Sequence, residues 1–153
     1  VGAPIPIDTV SDRLVGATQA VERVGDAALE VIDVASRTIA MGRRIGEQIR
    51  ERRGSDRPDG IFAVNDLLAV GILHGLLDDR TIRVPHDIAL VGYDDIEFAS
   101  DAVIPLTSVR RHGELFGRTA LDLLQREIAR GPGARHERVV FQPELVARRS
   151  SLA

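Results

Sequence analysis

The fold of this chain is decided by one stretch of sequence, Asp59-Gly60-Ile61-Phe62-Ala63-Val64-Asn65-Asp66-Leu67-Leu68-Ala69-Val70-Gly71. Its apolar run from Ile61 to Val64 follows a Pro-Asp-Gly turn signal and predicts a strand buried on both faces, as in a parallel sheet. A helical pattern of apolar residues begins directly after Asn65 and Asp66. These two polar residues are therefore expected where the strand ends and the helix begins. Ligands of open α/β sheets bind at that edge.

Asn65 and Asp66 can serve either the helix or a ligand. Both side chains are good helix N-caps, so one interpretation uses both of them to start the helix. The other gives the Asn65 amide to a ligand, because an amide donates and accepts hydrogen bonds and suits the edge of a sugar or a base. We expect a division in which Asn65 reaches toward a ligand and Asp66 caps the helix.

The composition is that of a globular domain and excludes several kinds of chemistry. The chain has 153 residues, 44% hydrophobic and 28% charged, which fits one ordinary soluble domain. It has no cysteine, and its 4 histidines are not closely spaced, so neither thiolate chemistry nor a metal site is expected. The net charge is -3 with scattered basic residues, which argues against nucleic acid as the partner of this segment. No apolar run approaches the length of a membrane span.

Strands and helices alternate along the predicted chain. After the end of a strand at residues 1–7, the patterns predict helices at about 12–24, 37–53 and 67–79, and strands at 28–34, 61–64 and 88–92. Beyond these they predict a short helix within 96–104, an extended segment at 105–109, an amphipathic helix at 113–130, and short strands at 139–141 and 145–147. This alternation predicts right-handed crossovers and the α/β class, as a three-layer sandwich with a mainly parallel sheet.

Two further polar groups lie near predicted strand ends. Arg13 stands in the first turns of a helix, and its guanidinium is a forked donor that suits carboxylates and pairs of hydroxyls. The alternative is an ordinary solvated arginine. Asp94 and Asp95 follow Tyr93 at a strand end, where paired carboxylates could support acid–base chemistry. Neighbouring residues there point to opposite sides, so we expect Asp94 to face a ligand and Asp95 to hold the loop.

Signatures of catalysis are missing from the sequence. It contains no G-x-S-x-G elbow, no phosphate-binding P-loop and no G-x-G-x-x-G fingerprint. We therefore predict no enzyme: no catalytic residue, no cofactor and no metal ligand. A sugar- or nucleotide-processing enzyme is kept as an alternative, which loss of turnover on Asp94→Asn would support.

The same groups recur, in the same order, in a known family. The chain resembles the effector-binding core of the lactose- and purine-repressor family, which shares the type I periplasmic-binding-protein fold. The resemblance covers nearly the whole chain. Its motifs are Arg13-x-x-Gly16, Pro58 to Asp66, Ala69-x-Gly71, Val84-Pro85-x-Asp87 continuing to Asp95, Pro105 to Val109, and Leu145-Val146-Ala147-Arg148-Arg149-Ser150.

The resemblance implies a two-lobed core that closes on a small effector, a sugar or a nucleobase-like molecule. Arg13, Asn65 and Asp94 match effector contacts of the family. Arg37 falls where the family has an aromatic contact, so this sequence departs from ring stacking there and suggests a more polar effector. Arg111 is a further candidate, because the segment that contains it reaches the cleft in some members.

The resemblance also implies a division of the chain. Residues 1–108 and 139–153 would form the C-terminal lobe, and residues 109–138 would belong to an N-terminal lobe that is absent here. The helix at 113–130 would then lack its normal partner, and we predict that it docks on a neighbouring molecule or swings out.

The implied function is that of a cytoplasmic, ligand-responsive bacterial repressor. It would form a homodimer through the surfaces Leu67–Leu77 and Ala99–Ile104, and contact DNA only through an N-terminal domain absent here, with no membrane partner. The alternative is the solute-binding protein of a transporter with the same fold. The segments 105–109 and 145–150 favour the repressor over the solute-binding protein.

Overall fold

The structure is a computed structural model that describes residues 8–131, 133 and 135–152. The strand end predicted at residues 1–7 lies outside the described residues. The described elements are α1 (Asp8–Val24), α2 (Ile39–Glu51), a 3-10 turn (Gly54–Asp56), β1 (Gly60–Phe62), α3 (Asp66–Leu77), β2 (Ala89–Asp94), α4 (Glu97–Asp101), β3 (Thr107–Arg110), α5 (Gly113–Arg130) and β4 (Glu144–Val146).

The sheet is mainly parallel, as the sequence predicts. Its described strands lie in the order β1-β2-β3-β4, with β1 parallel to β2, β2 parallel to β3, and β4 antiparallel to β3. Ile61 pairs with Leu90, and Tyr93 pairs with Val109. The carboxyl ends of β1, β2 and β3 therefore meet at one edge, which we call the carboxyl edge.

Helices lie on both faces of this sheet. Gly92 of β2 faces α3, since a Cβ built on it would meet the side chains of Asp66 and Ala69. The next residue, Tyr93, points to the opposite face, and there the Arg13 guanidinium of α1 lies 3.6 Å from its ring centroid. This is the layering of a three-layer α/β sandwich.

Two predicted strands, 28–34 and 139–141, are wrong. In the first segment only Asp33 has strand-like pairing, and this is a single isolated β-bridge. The second segment contains no strand residue. Leu29 is 42% exposed and Val140 is 63% exposed, so these apolar side chains do not lie on a pleated, half-buried surface. Strand propensity measures fit to such a surface, and without it the pattern does not produce a strand.

Helices α2 and α3 pack backbone against backbone. A Cβ built on Gly46 would lie 2.3 Å from the Ile72 carbonyl oxygen, and one on Gly71 would lie 2.1 Å from the Ile39 carbonyl oxygen. The same holds for Gly42 and Gly75, which complete a pair of glycines four residues apart on each helix. Side chains of both helices fill the core around this contact, namely Ile45, Ile49, Leu68, Ile72, Leu73 and Leu76.

The burial of α3 limits the surface that this helix can offer to a partner, and its place in a dimer surface stays a prediction. Nine of its 12 residues are buried within the chain. On its outer side Leu67 is 38% exposed, and His74 is also exposed. The helix is a core element because α2 and the sheet cover most of its circumference. Leu67–Leu77 therefore offers a partner only a narrow strip.

Helix α5 has the predicted bounds, but no residue of it is buried. Its apolar stripe is open, with Phe116 62% and Ile128 71% exposed. Phe116 touches Phe141, whose ring centroid lies 5.6 Å away. The assignment of 109–138 to another lobe stays a prediction.

Among the described residues, no helix is long and apolar enough to span a membrane.

Ser150 is hydrogen-bonded to two strands of the sheet. Its buried hydroxyl donates to the Leu90 carbonyl at 2.6 Å and accepts from the Thr107 amide at 2.8 Å. Its carbonyl accepts from the Leu90 amide at 2.8 Å. The terminal motif therefore joins β2 to β3 at the edge opposite the carboxyl edge.

We predict that Gly46→Ala lowers the free energy of unfolding by about 1–3 kcal/mol, because the added methyl group must separate α2 from α3. Gly16→Ala is the matched control: its Cβ meets no atom within 4 Å, and alanine in a helix gains roughly 0.5–1 kcal/mol over glycine. Urea unfolding measures both. Equal effects of the two substitutions would contradict the close helix contact.

Candidate functional site

A cavity of about 900 Å³ opens at the carboxyl edge of the sheet. Three of the predicted site residues, Arg13, Asp94 and Arg111, line it together with Tyr93. Phe116 of α5 lies in its outer wall. Residues from α1, from the end of β2 and from the chain just beyond β3 therefore come together, although they are far apart in sequence.

Arg13 is held in place by two groups at the carboxyl edge. Its guanidinium stacks on Tyr93, and Nη1 donates a hydrogen bond to the Val64 carbonyl oxygen. A cation over an aromatic ring is attracted by the negative face of the ring. Arg13 thus joins α1 to the ends of β1 and β2, and the alternative of an ordinary solvated arginine is wrong.

Asp94 presents a buried acceptor to this cavity. Arg111 Nε lies 2.9 Å from Asp94 Oδ1, an ion-pair distance without the alignment of a hydrogen bond. Within the described chain, no donor is aligned with that oxygen. The backbone of Asp94 has φ 112°, and that of Asp95 has φ 52°, values unusual for non-glycine residues. Strain of this kind persists only where the surroundings hold the turn in place.

Asp95 holds the loop, as the sequence analysis expects. Its Oδ2 accepts from Arg110 Nε at 2.7 Å, Arg148 Nη1 lies 2.7 Å from its Oδ1, and its amide donates to Ser108 Oγ at 3.0 Å. Burial alone would raise the pKa of Asp95, but the pairing with Arg148 and Arg110 outweighs it and lowers the pKa. The carboxylate therefore stays charged.

The predicted assignment of the helix cap to Asp66 is wrong, because Asn65 caps α3. Asn65 is the N-cap of α3: its Oδ1 accepts from the Leu68 amide at 3.1 Å, and its Nδ2 donates to the Arg37 carbonyl at 3.3 Å. Asp66 lies one residue into the helix with its side chain turned to the core. An extended backbone at Asn65 makes it the cap, and the order of two adjacent capping residues does not reveal this.

Asp66 is a fully buried acid that does not line the cavity, and the sequence analysis missed its place in the core. Its Oδ1 accepts from Ser108 Oγ at 2.6 Å, and its Oδ2 accepts from the Ile96 amide at 2.9 Å. Burial raises the pKa of Asp66, the two hydrogen bonds lower it, and the charges of Asp94 and Asp95 raise it further; the net shift is upward. The available signal was an acidic residue inside an otherwise apolar stretch.

The other two predicted residues lie outside this cavity's lining. Asn65 and Arg37 contact each other, and the Arg37 side chain is half-buried. A second cavity of about 560 Å³ lies between residues 28–33, the end of α2 and β1, and none of the five predicted residues lines it. No group of acidic, histidine or cysteine side chains in the described ranges could hold a metal ion. The role of all five as effector contacts stays a prediction.

Comparison with known proteins identifies the family. The family described as "Periplasmic binding protein-like domain" matches residues 8–151. The chain belongs to this family. Its carboxyl-edge cavity thus lies in a periplasmic-binding-protein-like domain, and the resemblance that the sequence motifs suggest is confirmed.

Similar proteins are regulators of transcription. The HTH-type transcriptional repressor PurR of Photobacterium profundum is 37% identical over 97 residues, which are 62% of this chain and 28% of that protein. The ribose operon repressor of Escherichia coli is 38% identical over 95 residues, again 62% of this chain and 28% of that protein. The transcriptional regulator CelR in complex with cellobiose has a TM-score of 0.83 at 29% identity, covering 99% of this chain and 45% of that one. The chain thus spans less than half the length of these relatives.

We predict that Asp95→Asn lowers the free energy of unfolding by about 2–4 kcal/mol near pH 7, because it leaves Arg148 without its anion. Since the pKa of Asp95 is lowered in the folded chain, its stabilisation is present above the ordinary aspartate pKa and is lost as the pH falls through the folded value. The difference between the two proteins in urea should therefore shrink below about pH 4. Asp94→Asn, at the neighbouring residue, is the control and should lower the free energy of unfolding by less. A difference that stays constant down to low pH would contradict this account.

Proposed function

We propose that this chain is the effector-binding and dimerisation part of a ligand-responsive transcriptional repressor, and that its effector is a sugar. The observation that carries the proposal is the cavity in which Arg13, Asp94 and Arg111 meet beside Tyr93. Forked guanidinium donors and a carboxylate acceptor suit pairs of hydroxyls, and an aromatic ring offers the apolar surface that a ligand pocket needs.

The relatives support control of transcription over solute binding for a transporter. All three proteins reported above are named as transcriptional repressors, operon repressors or transcriptional regulators. One is named as a complex with cellobiose and another as a ribose operon repressor, which supports a sugar over a nucleobase-like effector. On this proposal the protein catalyses no reaction, acts in the cytoplasm, and reaches DNA only through a separate N-terminal domain.

We infer distinct roles for the candidate contacts. Asp94 accepts a hydrogen bond from an effector hydroxyl through Oδ1, the oxygen with which no donor of the described chain is aligned. Arg111, whose side chain is 59% exposed, moves to accommodate the ligand. Arg13 donates from a fixed position over Tyr93. Asn65 and Arg37 form a second group; an effector that reaches Asn65 has to replace one of the two bonds that its amide makes.

A second lobe completes the site on this proposal. Residues 1–108 and 139–153 form one lobe, to whose sheet Val109 and Arg110 of β3 also belong, and the rest of the segment 109–138 packs in another. The support is α5, which buries no residue against the rest of the chain. Half a cleft binds weakly, because a ligand held on one side stays in contact with water on the other.

We predict that a thermal-shift screen of the full-length protein against sugars and nucleobases finds a sugar that raises Tm. A ligand at about 100 times its Kd adds roughly 2.7 kcal/mol to the free energy of unfolding, which such a screen detects readily. Asp94→Asn should weaken binding of that sugar about tenfold to a hundredfold, because it replaces a charged acceptor. Glu51→Gln, on the exposed side of α2, is the control. Stabilisation by a nucleobase alone would contradict the choice of a sugar.

We predict a homodimer that uses the surface around α4. Val103 is 77% exposed and Phe98 is 69% exposed there, beside the narrow strip at Leu67. In the full-length protein, Val103→Asp should raise the dimer dissociation constant about tenfold or more, because it places a charge in an apolar contact. Val24→Asp is the matched control, since Val24 is 66% exposed at the far end of α1. Analytical ultracentrifugation distinguishes the two; equal effects would contradict this surface.

A further inference from the structure

We propose that Phe116, Phe141 and Gln142 form a second sugar subsite in the carboxyl-edge cavity, and that the effector is therefore a sugar of at least two rings. This role rests on the proposed function, in which Arg13 and Asp94 bind the first ring. All three subsite residues line the cavity. None of them is among the site residues predicted from the sequence.

Aromatic rings are rare in this chain, and they are concentrated at this cavity. The sequence has 4 phenylalanines, 1 tyrosine and no tryptophan. Three of these rings line the cavity, namely Tyr93, Phe116 and Phe141. Ligand pockets are typically lined by aromatic side chains, because a flat ring offers a large and rigid apolar surface. The outer wall of the cavity therefore has the composition of a ligand pocket.

Phe116 and Phe141 form one apolar platform. Their ring centroids lie 5.6 Å apart, with 52° between the ring planes. Phe116 is 62% exposed in spite of this contact, so much of its surface is open to a ligand. Phe141 is half-buried and lies shortly before β4, which pairs with β3. The platform is thus connected to the sheet through β4.

Tyr93 does not offer a comparable open ring. The Arg13 guanidinium lies 3.6 Å from its ring centroid and covers one face. A sugar ring carries hydroxyls around its rim and apolar C–H groups on its faces. Arg13 and Asp94 suit the hydroxyls of a ring, because they donate and accept hydrogen bonds. The platform suits the C–H face of a ring, so the two walls recognise different parts of a sugar.

The cavity is larger than a single sugar ring. Its volume is about 900 Å³. A hexose takes the place of only about six waters, at roughly 30 Å³ each. A ring that is bonded to Asp94 therefore leaves space beside the platform. Gln142 lines the same cavity and makes no hydrogen bond to another described residue, so its amide is available to donate to and accept from hydroxyls of a second ring.

The platform is separate from the rest of the apolar stripe of α5. Phe116 lies in the first turns of this helix and faces the cavity. Leu124 and Ile128, further along the helix, are exposed and do not line the cavity. A second lobe can therefore cover those two residues and leave the Phe116 ring to the effector.

Isothermal titration calorimetry of the full-length protein tests the subsite. The ligands are three disaccharides (cellobiose, lactose and sucrose) and their component monosaccharides (D-glucose, D-galactose and D-fructose). We expect at least one disaccharide to bind about tenfold or more tightly than either of its components, because only the disaccharide reaches both walls. Phe141→Leu keeps an apolar side chain but removes the ring. It should weaken binding of that disaccharide about threefold to tenfold, and binding of its components by less than about twofold.

Two further variants complete the experiment. Phe116→Leu covers the case in which Phe141→Leu fails to fold, because Phe116 is the more exposed ring, and the same selective loss is expected. Leu121→Ala is the matched control: Leu121 is 55% exposed on α5 but does not line the cavity, so its replacement should change neither affinity.

The outcomes separate the subsite from the proposed function. A monosaccharide that binds as tightly as its disaccharides would overturn the second subsite and leave sugar sensing in place. An equal loss of affinity for both kinds of sugar in the phenylalanine variants, or no loss for either, would do the same. If none of the sugars binds, the proposed sugar-sensing function falls, and the subsite falls with it.

Discussion

The Asp66 carboxylate is the point at which α3, β2, β3 and the chain before α4 meet. It belongs to the first turn of α3, accepts from β3 through Ser108 and from the chain before α4 through Ile96, and lies against the backbone of β2 at Gly92. Removing a carboxylate from water costs several kcal/mol, so it persists in a core only when both oxygens are bonded. The raised pKa of Asp66 shows that the cost is not fully offset. Its position in the first turn of α3 supplies a further stabilising field, because helix N-termini favour negative charge.

The glycine contact between α2 and α3 sets where that first turn can lie. Gly42 approaches Leu68, and Gly46 approaches Ile72, so contacts advance in the same direction along both helices. The helices are therefore parallel, and their N-termini lie at the same end of the molecule. This explains why the Arg37 carbonyl, just before α2, is within reach of the Asn65 amide at the start of α3. Backbone packing of two helices thus determines the surroundings of a candidate ligand contact.

The sequence predicts elements and edges better than it predicts individual side-chain contacts. The strand at Ile61 and the bounds of α5 could be predicted, because hydrophobic periodicity and turn residues are properties of a short stretch of sequence. The mainly parallel sheet followed from their alternation. The strand predicted at 28–34 failed because a strand depends on neighbours that a local pattern does not contain. The cap of α3 was assigned to Asp66 instead of Asn65 for a related reason: either residue can cap a helix, and only the backbone angle at Asn65 decides which one does. Ser108 and Asp66 lie 42 residues apart, so their bond leaves no local signal.

The two walls of the carboxyl-edge cavity differ in how firmly they are held. In one wall, Asp94 ends β2 next to hydrogen bonds of Ser108, and Arg13 of α1 is held there by Tyr93 and the Val64 carbonyl. The wall of α5 buries no residue, and its ion pairs, such as Arg126 with Glu137 at 3.4 Å, are exposed and contribute little stability. A ligand that touches both walls must therefore order the second, and that ordering subtracts from its affinity. On the proposed function, the same cost would make the cavity responsive, because a ligand can shift an equilibrium only when it binds one arrangement better than another. Recognition by the firmly held wall and response by the weakly held one would then be separate properties of one cavity.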